Sequence, residues 1–225
     1  MYNRRTRRAS GRSIVLQEAR AQGGNRISPS QLTRASGWAA ALAGAFFILA
    51  EVLTPLTLVT NPDSLSRVAL TDRFVVQSML KFLAAMLLLA GLVGLYAHQA
   101  QEAGRLGAVG FCTAFVGTSL IMGDFYANTF VTPTLAISVP EALDVRNAGV
   151  LTFWLPLEFG FLALAWLPFA LSTLRAGVYP RAAAWVLVVG SLVALVPLPY
   201  VNAPFDVAVA WLGIALMRRS ASPSP

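Results

Sequence analysis

Long windows of this chain carry almost no charge, and that limits its fold more than any other feature. Residues 82–101 contain no Asp, Glu, Lys or Arg. Residues 35–62 contain only Glu51, 106–140 only Asp124, 147–174 only Glu158, and 182–217 only Asp206. A helix needs about 20 consecutive apolar residues to cross the hydrocarbon core of a bilayer. Each window is long enough for one or two crossings. Charged residues make up 12% of the chain, against about 25% in an average soluble domain. The expected fold is all-α: a polytopic transmembrane bundle of about six helices over residues 35–219. A basic tail, 1–34, precedes it, and a short tail, 220–225, follows.

Turn and breaker residues divide the windows. Helices are predicted at about 37–59, 74–97, 106–132, 149–173, 182–196 and 200–217. Asn61-Pro62-Asp63 marks a polar turn after the first, and His98–Arg105 forms a short loop after the second. Pro133 is expected to stop the third helix, leaving 133–146 as the longest connection. Pro197, Pro199 and Pro204 crowd the last turn. The glycines of the second and third helices, Gly91, Gly94, Gly107, Gly110, Gly117 and Gly123, suit close helix–helix approach.

Six crossings put both termini on one side, and the basic residues test this. Thirteen of the 17 Lys and Arg residues fall on the N-terminal side, eight of them in the first 34 positions. Three, Arg67, Arg73 and Arg146, fall opposite. By the positive-inside rule both termini are cytoplasmic. The net charge of +7 is therefore read as topology. No base-reading motif accompanies the arginines, so nucleic acid is not an expected partner. The polar first 36 residues lack the early apolar core of a cleavable signal peptide. One cysteine, Cys112, excludes an internal disulfide.

Charged groups inside such helices are costly and mark functional sites. Five occur: Glu51, Lys81, Asp124, Glu158 and Asp206. Counted from the helix ends at about 1.5 Å per residue, all five lie roughly 9–14 Å below the same membrane surface. A shared depth predicts one polar pocket. Gln77, Asn128 and Asn202 each stand four residues from a charged member, on the same helix face. Tyr126 and Tyr200 can add hydroxyls. Phe47, Phe125 and Trp154 are among the aromatic residues at this level, and ring faces stabilise cations. Ordinary core packing accounts for single rings equally well. Four carboxylates facing one lysine would leave −3 if all were ionised, so at least one acid is expected to be protonated at neutral pH. Glu51, Asp206, Asp124 and Glu158 are the candidate acid–base residues. No His/Asp/Glu metal pattern, phosphate loop or nucleophile elbow is visible; neither metal nor cofactor is expected.

Gly94-Leu95-Tyr96, the run from Gly104 to Phe111, Tyr179-Pro180-Arg181 and Ala210-Trp211-Leu212-Gly213 resemble a widespread group of uncharacterised bacterial small polytopic membrane proteins. That resemblance implies a multi-pass protein of the bacterial inner membrane and brings no activity. Glu51 in an early helix and Asp206 in the last resemble, more weakly, the paired acids of membrane-bound terpene cyclases from meroterpenoid and indole-sesquiterpenoid pathways. That likeness implies protonation-initiated cyclisation of an isoprenoid. The family more often has seven helices, and six are counted in this chain.

Three function classes follow. In the first, a protonated Glu51 or Asp206 starts cyclisation or isomerisation of a lipophilic isoprenoid-type substrate inside apolar walls. In the second, the same buried acids and Lys81 serve a small proton-coupled transporter. In the third, the chain is a non-catalytic membrane partner whose basic tail meets anionic lipid.

Overall fold

In a computed structural model, the described residues are 28–53, 65–144, 150–195 and 201–221. The side chains of 150–159 fall outside this description, as do residues 1–27, 54–64, 145–149, 196–200 and 222–225. The expected turn at Asn61-Pro62-Asp63 and the prolines Pro197 and Pro199 therefore lie outside it. Among the described residues the protein is all-helical, with no strand.

The chain divides into two units, Met1–Leu32 and Thr33–Pro225. In the first, the Gln31 side-chain carbonyl accepts from the Ser28 backbone N–H at 3.0 Å. The Ser28 hydroxyl accepts from the Gln31 N–H at 3.2 Å. This reciprocal capping box satisfies helix-start donors that would otherwise be orphaned. It opens α1, Pro29–Leu53.

From Thr33 onward α1 belongs to the second unit, which also holds the remaining helices. Short α2, Leu65–Ala69, precedes α3, Asp72–Tyr126. A π-helical segment, Ala127–Val131, continues into α4, Thr132–Ser138, and α5, Pro140–Asp144. Then come α6, Val150–Ala176, α7, Arg181–Val193, and α8, Ala203–Ala221. Thr71 caps α3, accepting from Phe74 N–H at 3.3 Å. Arg73 donates to the carbonyls of Leu53 at 2.8 Å and Val52 at 3.0 Å. Both carbonyls lie in the last turn of α1, an end that a cation suits,.

Among the described residues two stretches are long and apolar enough to cross a membrane, Ser30–Leu53 and Asp72–Ser138. The second is not one straight rod. Gly104, at φ 56° and ψ −146°, breaks it, and beyond that point the chain doubles back. Tyr96 stacks on Phe111 at 4.7 Å between centroids, and Phe82 meets Tyr126 at 5.9 Å. These pairs place 72–103 and 105–126 side by side and antiparallel. The expected loop at His98–Arg105 is thus a single residue; His98 to Ala103 remain helical. Only glycine adopts this backbone conformation without strain.

Pro133 does not stop the third predicted helix. Ala127–Val131 widen into π geometry and Pro133 sits in the first turn of α4, where a missing N–H costs nothing. The supposed loop after it is mostly α4 and α5. With α2 and the start of α3 they bury Val68, Ala69, Phe74 and Ala136 in a small satellite core.

Small residues set the main packing. A Cβ on Gly44 would sit 2.5 Å from the Asp206 carbonyl and 2.6 Å from Ala210 N. One on Gly37 would meet Met217 at 2.7 Å. As α1 advances its contacts on α8 recede, so the two are antiparallel. Gly91 against Ala40 and Gly94 against Ser36 fix α1 antiparallel to the first limb of α3. Gly110 against Phe169, and Thr113 Oγ1 donating to the Ala165 carbonyl at 2.7 Å, fix α6 antiparallel to the second limb. Trp166 Nε1 donates to Thr118 at 3.0 Å. In the loop between α6 and α7, buried Tyr179 donates to the Leu95 carbonyl at 3.0 Å.

The outward faces are apolar too. Leu83, Met86, Val93, Val109, Val116 and Leu120, all on α3, are each more than 40% exposed. Soluble monomers rarely expose contiguous apolar patches larger than a few hundred Å².

Candidate functional site

All the long helical segments of the second unit converge on one cavity of about 40 Å³. Its polar wall is Glu51 from α1, Lys81 and Thr118 from α3, Ser191 from α7, and Asn202 and Asp206 at the start of α8. Its apolar wall includes Phe47, Leu88, Ile121, Phe125, Leu162 and Phe205. The volume is room for a few waters, since one needs about 10–15 Å³ by such a measure.

Lys81 Nζ lies 3.2 Å from Glu51 Oε1. The side chains are 19% and 11% exposed, so the pair is largely withdrawn from solvent. The ammonium also stands 6.0 Å from the Phe125 ring centroid, at the edge of cation–π range. Phe125 in turn packs on Phe47 at 6.0 Å.

Asp206 is only 3% exposed. Its Oδ2 has no hydrogen-bond partner among the described residues. Its backbone is held by an N–H donated to the Asn202 carbonyl at 3.0 Å, and Gly44 lets α1 press against its carbonyl. Thr118 and Ser191 spend their hydroxyl protons on Ala114 and Leu187 carbonyls. They face the cavity as acceptors.

Of the residues singled out from sequence, Glu51, Lys81, Asp206, Asn202, Phe47 and Phe125 come together on this cavity. Four others do not line it. Asp124 is half-buried and takes an N–H from the Asn128 side chain at 2.9 Å, while Asn128 accepts from Thr132 at 3.3 Å. These three form a ladder along the π segment. Tyr126 is 51% exposed and packs on Phe82 and Phe130. Gln77 is buried one turn from Lys81, away from the lining. Successive helix positions point about 100° apart, at 3.6 residues per turn. Phe125 faces the cavity, so its neighbours Asp124 and Tyr126 face elsewhere. The side chains of Glu158 and Trp154, and all of Tyr200, lie outside the described residues.

Thr118 and Ser191 were not anticipated. Thr118, Ile121 and Phe125 fall at i, i+3 and i+7, one helix stripe. That spacing was the available signal.

Among the described residues, no three His, Cys, Asp or Glu side chains gather as a metal site. The arrangement offers instead an ion pair, a buried acid and a small polar space between them. No protein-family model, curated protein or solved structure matches this chain.

Proposed function

We propose that this chain is a multi-pass membrane protein of six spans, both termini cytoplasmic, with an acid–base site inside the bundle. Its proposed role is to protonate a lipophilic, isoprenoid-type substrate at Asp206 and start its cyclisation or isomerisation. The antiparallel contacts of α1 with α3, of the two α3 limbs, of α3 with α6, and of α1 with α8 all suit six alternating crossings. So do the apolar exterior and the thirteen-to-three split of basic residues.

One observation carries the acid–base reading. Asp206 is buried with an unpartnered oxygen, and the cavity's lysine is already engaged by Glu51. A second ionised carboxylate there would be an uncompensated buried charge, which is expensive. The neutral acid avoids that cost and is a proton donor. Glu51 is the base that receives a proton at the end of the reaction. Phe47, Phe125 and Phe205 supply ring faces for an intervening cation, and apolar walls keep water from quenching it.

Size limits this reading. Sites for drug-sized ligands run to about 300–1,000 Å³, and this cavity is about 40 Å³. A substrate chain enters only if the helices part. The same small volume favours a second reading, a proton-coupled carrier whose site holds a proton and water.

Product analysis separates the two. Membranes containing the protein are incubated with prenylated aromatic or epoxidised substrates. A cyclised isomer of unchanged mass, lost in Asp206→Asn with the protein still inserted, upholds the enzyme. Proton-coupled uptake into proteoliposomes, with no such product, upholds the carrier and removes the enzyme.

A further inference from the structure

We infer that the cavity holds a small cluster of water joining Asp206 to the Glu51–Lys81 pair, and that a proton crosses it between the two carboxylates. This deepens the acid–base reading and rests on it. A buried water needs space and two to four polar partners. The volume of about 40 Å³ supplies the space. The partners come from four helices. Asp206 Oδ2 is unengaged among the described residues. Lys81 has three donors, and Glu51 Oε1 is the acceptor paired with it,. Ser191 offers lone pairs at the wall, and Thr118, which already accepts from Trp166, offers its second one,.

The transfer balances. Asp206 gives its proton to a water as that water passes one of its own to Glu51. Asp206 becomes a carboxylate, Glu51 becomes an acid and the water is restored. The three side chains keep a net charge of zero throughout. Lys81 then exchanges Glu51 for Asp206, a move its flexible four-carbon stem allows. The site thus has two arrangements, distinguished by which acid holds the proton. Among the described residues the titratable groups facing it are Glu51 on α1, Lys81 on α3 and Asp206 on α8; Asp124 on α3 turns away toward Asn128, and α7 contributes Ser191. Glu158 on α6 has its side chain outside the description.

The test is infrared difference spectroscopy of the reconstituted protein between acid and alkaline buffer, in ordinary and heavy-oxygen water. Wild type is expected to show O–H stretching bands that shift with the heavy isotope. Asp206→Asn, which nearly keeps side-chain volume, is expected to lose them. So is Ala194→Leu or Ala163→Val, either of which fills the cavity and leaves the carboxylates in place; the filler whose circular dichroism matches wild type is the one read. Absence of the bands in wild type, or their survival in Asp206→Asn, overturns the inference. Product or uptake without the bands leaves the acid–base role standing and removes the water. Bands without product or uptake do the reverse.

Discussion

Replacing Lys81 with Met should expose how the ion pair is held. The substitution keeps most of the side-chain bulk and removes the charge that faces Glu51 at 3.2 Å. At an effective dielectric of about 20, two unit charges at that distance attract by about 5 kcal/mol before desolvation is subtracted. Breaking one partner of a buried pair costs about 3–5 kcal/mol. The 19% and 11% exposure of these side chains argues for the lower part of that range. A chemical ceiling also applies. A stranded glutamate can take up a proton, and holding a free glutamic acid neutral at pH 7 costs about 4 kcal/mol. Lys81→Met should therefore lose about 2–4 kcal/mol at neutral pH, and less in acid, where the proton comes more cheaply. Lys81→Met/Glu51→Gln should recover most of the loss, because no charge is left unpaired. The assay is a double-mutant cycle on reversible unfolding in mixed micelles, with a coupling of about 2 kcal/mol expected. A coupling of zero, with the single variant as stable as the double, would refute the reasoning.

Three further outcomes follow from the packing and the loops. Gly44→Ala places a Cβ 2.5 Å from the Asp206 carbonyl, so the α1–α8 seam must open, at about 1–3 kcal/mol; Gly123→Ala, with nothing within 4 Å, should be neutral or gain up to about 1 kcal/mol in helix propensity. Equal melting shifts for the two would contradict the seam. Gly104→Ala also meets no atom within 4 Å, yet it should cost about 1–3 kcal/mol through backbone strain alone. Burial pushes the Tyr179 phenol well up, and Arg219 only partly offsets this. The folded state therefore holds that proton more tightly than the unfolded chain. The resulting stability is full below about pH 10, where free tyrosine titrates, and declines above it. Tyr179→Phe should lose about 1 kcal/mol at neutral pH and should not share the alkaline decline.

Much of the helical pattern was legible because long charge-poor runs leave a strong, one-dimensional trace. Charge-poor windows and glycines at helix seams marked the segments, although α1 begins at Pro29 rather than near 37 and the first limb of α3 stays helical to Ala103 rather than ending near 97. Gly104 and Pro133 were harder. The polar run His98–Arg105 marked the break, but its residues stay helical as far as Ala103 and Gly104 alone turns the chain. A proline at a helix start looks the same, in sequence, as one at a helix end. Charge in apolar helices singled out Glu51, Lys81 and Asp206, which line one cavity. It did not say that Asp124 turns instead toward Asn128, because position along a helix fixes depth while its rotation is set by packing. Small hydroxyls such as Thr118 and Ser191 carry no distinguishing signal, since the same residues serve as packing elements in any membrane helix.

In the proposed mechanism Asp206 holds a proton inside the bundle at neutral pH. Infrared spectroscopy of the reconstituted protein at pH 7 measures it most directly, through the carbonyl stretch of a protonated carboxylic acid. A band present in wild type and lost in Asp206→Asn is the predicted result. A spectrum in which every carboxyl group is ionised at that pH would contradict the account.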